Sequence, residues 1–116
     1  MQVVRIFTGS DQRSHFEDIE LKFGGEPTML ATETQPAKTI AFRSSARGTV
    51  LDWHPAPRRQ YVITISGQWD IVCGDGTTRR FKPGDVMLAD DLTGQGHIAR
   101  VEGNEPHIFI TVPLAD

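Results

Sequence analysis

Residues 48–67 read GTVLDWHPAPRRQYVITISG, two short apolar runs split by Pro55-Ala56-Pro57 and closed at each end by a glycine. Side chains of an extended chain alternate sides, so in the second run Gln60, Val62, Thr64 and Ser66 share one face and Tyr61, Ile63 and Ile65 the other. If the face with Gln60 lines an interior cavity, the Tyr61-Ile63-Ile65 face packs on another sheet, an N-terminal segment or a second subunit. A chain this short leaves much apolar surface uncovered, and symmetric pairs are common, so a homodimer is the expected state.

The same pattern continues outward. From Thr39 onward come TIAFR, GTVLDWH, QYVITISG, QWDIVCGDG, TTRRFKPGDVMLA, HIARVEG and HIFITVPL, each an apolar run of period near two bounded by Gly, Pro or Asp. Short strands at this spacing predict an all-β sandwich or barrel. Ser66-Gly67 reads as a tight hairpin between consecutive strands and Gly74-Asp75-Gly76 as the next, while Pro83-Gly84-Asp85 ends one strand and starts another. The first 38 residues are more polar and irregular. They have a β-like start (Val3, Val4, Ile6, Phe7), a turn signal at Gly9-Ser10-Asp11, and a Ser14/Glu17 capping box that predicts at most one helical turn. The expected organisation is one domain, an N-terminal arm over 1–38 and a barrel over 39–116.

Charge and composition exclude several function classes. Against 12 basic side chains stand 15 acidic ones, a net charge of −3, without the basic surplus of a dedicated nucleic-acid binder. No apolar run approaches the ~20 residues of a membrane helix, so no membrane partner is expected. Cys73 is the single cysteine and has no partner for an intrachain disulfide, and Arg5 interrupts the first apolar run, which predicts a cytoplasmic protein.

Residues 48–67 resemble the first motif of the cupin superfamily, which runs Gly, five residues, His-x-His, three or four residues, Glu, six residues, Gly. Gly48, His54, Gln60 and Gly67 fall on its positions, with Ala56 where the second His would stand and Gln60 where the Glu would. The second motif is matched more loosely by GDVMLADDLTGQGH, from Gly84 to His97, with Asp90 at the Pro position. The resemblance spans residues 40–114. It implies a single-domain cupin double-stranded β-helix, an RmlC-like jelly-roll barrel. Cupins that hold Fe, Mn, Ni or Zn usually do so with three His and one Glu, of which this chain keeps His54 and His97. The expectation is therefore no cofactor. The alternative is a divalent metal on His54 and His97 with Gln60 or Asp52, where Asp52, two residues before His54, is expected on the same strand face.

His54 and His97 are the candidate catalytic pair, because imidazole titrates near neutral pH and can act as acid or base. Gln60, Asp52 and Arg59 are candidate substrate-binding residues. Gln60 both donates and accepts, Asp52 would orient His54 through a ring N–H, and one of Arg58 and Arg59 would take a carboxylate or phosphate while the other is solvated. Asp90 and Asp91, adjacent on a strand, face opposite ways and are not expected to act together. His15 and His107 have no assigned role, and Cys73 reads as a small buried hydrophobe. Cupins host many chemistries, so function must come from these residues. They point to a pocket for a small polar or anionic organic molecule and to non-redox isomerase or lyase chemistry. The alternatives are a metal-dependent dioxygenase or hydrolase and a non-catalytic ligand-binding or sensory module.

Overall fold

Period-two alternation becomes strand almost throughout. The computed structural model describes residues 1–116 and contains twelve strands: β1 (Gln2–Thr8), β2 (Ser14–Glu20), β3 (Gly24–Glu26), β4 (Met29–Ala31), β5 (Ala41–Ser45), β6 (Val50–His54), β7 (Gln60–Ser66), β8 (Gln68–Val72), β9 (Thr78–Phe81), β10 (Val86–Asp90), β11 (His97–Glu102) and β12 (His107–Pro113). A six-stranded sheet in the order β2-β1-β10-β7-β12-β5 packs on a four-stranded sheet in the order β6-β11-β8-β9, and β3-β4 forms a separate hairpin. Ile6, Val62, Met87 and Phe109 from the first sheet meet Trp69, Ile71 and Phe81 from the second in one core. This is the expected jelly roll. No helix is long and apolar enough to cross a membrane.

Three local expectations are corrected. Ser66-Gly67 is not a hairpin, because β7 and β8 belong to different sheets and the chain crosses between them there. Gly67 has a φ of 71°, and a Cβ on it would overlap the Pro106 carbonyl, so the glycine permits a sharp corner against the β12 entry. The helical turn at Ser14 is absent, since β2 starts there and pairs with β1 from Ser14↔Thr8 to Glu20↔Gln2. Nor are the first 38 residues all an arm. β1 pairs in parallel with β10, and Ile6 is fully buried in the core. The polar look of this region came from β2, whose exposed residues Glu17 and Asp18 form ion pairs on opposite faces, with Arg5 and Arg79.

The alternation along β7 is as expected, with Val62 and Thr64 buried inside. On the outer face Tyr61 packs beside Val3, Leu88 and Leu114, and its hydroxyl donates to Gln35 Oε1. Ile65 stays 49% exposed. Ile6→Ala should lower stability by about 2–5 kcal/mol in urea unfolding, the usual cost of a buried cavity. A surface arm would lose less than about 0.5 kcal/mol.

Candidate active site

The site lies between the sheets, where β11 pairs with β6. His97 stands opposite His54, yet Ala99 stands opposite Leu51, so β6 carries one extra residue, a bulge over Asp52-Trp53. The bulge switches face parity, and Leu51 shares the cavity wall with His54 while Asp52 does not. The side chain of Asp52 accepts the Trp53 backbone N–H at 2.9 Å. It does not orient His54; that is done by the Asp52 backbone carbonyl, which accepts His54 Nδ1–H at 2.7 Å. Gly96, with a φ of 74°, brings the loop before β11 against the His54 carbonyl, where any Cβ would collide. The two imidazole centroids end 4.7 Å apart, tilted by 55°.

Behind His97 is a carboxylate that the sequence reading had set aside. Asp91 is fully buried, and its Oδ2 accepts His97 Nδ1–H at 2.6 Å and Ser14 Oγ–H at 2.7 Å. Its neighbour Asp90 does face the other way, toward Arg5 and Arg59. That opposition, correctly expected, is what sends Asp91 inward. Both histidines thus have Nδ1 occupied by an oxygen acceptor, while neither Nε2 makes a hydrogen bond within the chain. A neutral ring held this way presents the Nε2 lone pair.

The cavity has a volume of about 370 Å³ and takes in His54, His97, Gln60, Arg58 and Arg43. Arg59 is not part of it. It lies outside, paired with Asp90 and Asp116, because adjacent residues diverge and Arg58 takes the cavity side. Arg43 was missed, although the alternation of AFRSS could have placed it on the cavity side, opposite Phe109, where it is exposed at the edge. His15 sits at the β1–β2 turn, with Nε2 bonded to Asp11 at 2.9 Å. Cys73 is buried, and burial together with the Asp75 and Asp91 carboxylates pushes its thiol up to about 12, too high for a thiolate at neutral pH.

A metal finds no donor set here. Ala56 offers no ligand atom and Gln60 only a neutral amide; the Asp52 carboxylate is turned to Trp53, and that of Asp91 lies behind His97. No three His, Cys, Asp or Glu side chains stand close enough to share an ion. The residues do not fit the two-His-one-carboxylate centre considered above.

Below the cavity His107 is fully buried, stacked 4.7 Å from Trp69 and 4.6 Å from Phe109, and shares a 2.9 Å hydrogen bond with Thr64 Oγ1. Burial depresses it from the ordinary 6.5 to about 4. The unfolded chain therefore binds a proton here that the folded one refuses, and stability should fall by about 3 kcal/mol as pH drops from about 6.5 to 4. His107→Phe should flatten that slope in denaturation measured across this range; an unchanged slope would place the proton elsewhere.

No protein-family model matches the chain. No curated protein matches it either. Solved structures do. A Klebsiella pneumoniae protein described as an uncharacterized conserved protein with a double-stranded β-helix domain is 28% identical over 71% of this chain and 70% of that one, with a TM-score of 0.52. A Cupin 2 conserved barrel domain protein from Salinispora arenicola is 22% identical over 78% and 71%, also at 0.52. The cupin domain of Schizosaccharomyces pombe Cnp3 is 10% identical over 97% and 87%, at 0.51.

Proposed function

The chain has the double-stranded β-helix fold of the cupin superfamily, and on that basis we propose that it is an enzyme of non-redox acid–base chemistry, of isomerase or lyase type, acting on a small polar organic molecule in the barrel cavity. The observation that carries this reading is the His97–Asp91 pair, 2.6 Å apart, with the His54 ring 4.7 Å from that of His97. His97 Nε2 takes a proton from a carbon next to a carbonyl, and the buried Asp91 carboxylate compensates the positive charge that develops on the ring. Ser14 holds that carboxylate in place. His54, half-buried at the mouth, takes a proton from solvent at Nε2 and delivers it to the substrate, and His97 gives up the abstracted proton to solvent to complete the cycle. The side-chain amide of Gln60 hydrogen-bonds a substrate oxygen.

Proton exchange tests this without knowledge of the product. In D2O the protein should wash deuterium into the acidic C–H bonds of some of a panel of small ketones, aldehydes and oxo acids, read by mass spectrometry. His97→Ala and His54→Ala should each slow exchange by roughly 10²-fold or more, and Asp91→Asn should slow it while leaving binding intact. Undiminished exchange in the double histidine variant would refute the roles. Saturable binding with no exchange across the panel would make the protein a ligand-binding or sensory module instead.

The reading includes a homodimer. Phe42, Ile110, Ile63 and Val86 lie in one row across the outer face of the six-stranded sheet, and Phe42 is 76% exposed. A second copy of the same face would cover this row in an isologous contact. Light scattering should give about twice 12.9 kDa, and Phe42→Asp should return the monomer; a monomeric parent would overturn it.

A further inference from the structure

The chain carries a net charge of −3, yet no Asp or Glu lines the barrel cavity, whose polar side chains are His54, His97, Gln60, Thr111, Arg43 and Arg58. Arg13, Arg43, Arg47, Arg58 and Arg100 form no ion pair in the chain, and of these Arg43 and Arg58 line the cavity. Arg5, Arg59, Arg79 and Arg80 each have a carboxylate partner. Neither Arg43 nor Arg58 has any acidic group within ion-pair distance, although 15 acidic residues were available.

Arg43 is moreover held. Its Nε–H donates to Thr111 Oγ1 at 3.1 Å, and Thr111 is buried in the wall. With Nε tied sideways, the two terminal nitrogens have no partner in the chain and form the end of the guanidinium fork that meets a carboxylate through two parallel hydrogen bonds. The remaining wall is apolar and partly aromatic, with Trp69, Phe109, Met87, Val62 and Leu51. A volume of about 370 Å³ suits a ligand small for such pockets.

We infer that the cavity selects a small organic monocarboxylate with a planar, apolar body, its carboxylate taken end-on by Arg43 with Arg58 as a second cation and its body against Trp69 and Phe109. This deepens the acid–base reading of the same cavity and rests on it for the fate of the ligand. It names the end of the substrate that is read rather than the end that reacts. Because Arg43 sits on β5 and the histidines on β6 and β11, the carboxylate is gripped from the six-stranded sheet and the reacting carbon is offered to the four-stranded one.

Benzoate and its neutral isostere benzamide are the probes, titrated against the full chain by calorimetry. Benzoate should bind saturably and benzamide at least about tenfold more weakly, since a charged hydrogen-bonded pair exceeds a neutral one by that much or more. Arg43→Gln should weaken benzoate by about tenfold or more and leave benzamide unchanged; Arg43→Lys, which keeps the charge without the fork, should recover only part of the loss. Arg58→Gln should weaken benzoate by less. Equal binding of the two probes, full binding in Arg43→Gln, or tighter binding of phenyl phosphate than of benzoate would each overturn the inference. Its failure is separable from that of the acid–base reading. Benzoate bound in this pattern with no deuterium exchange on any oxo acid keeps the clamp and removes the chemistry, whereas exchange as fast on neutral ketones as on oxo acids keeps the chemistry and removes the clamp.

Discussion

A single buried carboxylate ties the site together. Asp91 has no exposed surface, and a buried charge is tolerated only when hydrogen-bonded and compensated. Its Oδ2 accepts from Ser14 and His97, and its backbone carbonyl accepts from Ala56 N–H at 2.9 Å. Three segments thereby meet at one residue: the start of β2 and the proline-flanked turn after β6, both remote in sequence, and the start of β11 six residues on. The N-terminal strands are thus part of the site's scaffold, since without Ser14 the carboxylate would lose one of its two side-chain donors.

Around this point the two histidines become inequivalent. His97 is backed by the Asp91 side chain inside the core, His54 by the backbone carbonyl of Asp52 at the mouth. Each keeps Nε2 free, but only His97 has a side-chain carboxyl group behind it. The same ring contacts explain why His107, although a third histidine near the cavity, does not join them. It is buried in a cluster with Trp69 and Phe109, and that burial keeps it neutral.

Much of this was legible beforehand. Alternation in QYVITIS gave the inward face of β7, and the resemblance of residues 48–67 to the first cupin motif implied the double-stranded β-helix that similar solved structures share. His54 and His97 were singled out by resemblance to the two cupin motifs, and the two residues stand opposite each other on β6 and β11. What misled was the assumption of unbroken strands. One extra residue in β6 reversed the facing of Asp52, and a positive φ at Gly67 turned an apparent hairpin into a crossing between sheets. Ser14 looked like a helix cap because Ser bonds backbone N–H groups locally, but here its hydroxyl found a partner 77 residues away.

By itself the sequence determined the all-β class and the period that separates inside from outside along each strand, because these depend on local chemistry and short-range alternation. Only the tertiary structure decided which acid serves His97, which arginine enters the cavity and that no metal-binding group forms. Those outcomes depend on how a loop such as Asp91–His97 folds back on itself, on contacts between strands far apart in the chain and on a one-residue bulge, and side-chain facing after a bulge cannot be counted from residue number.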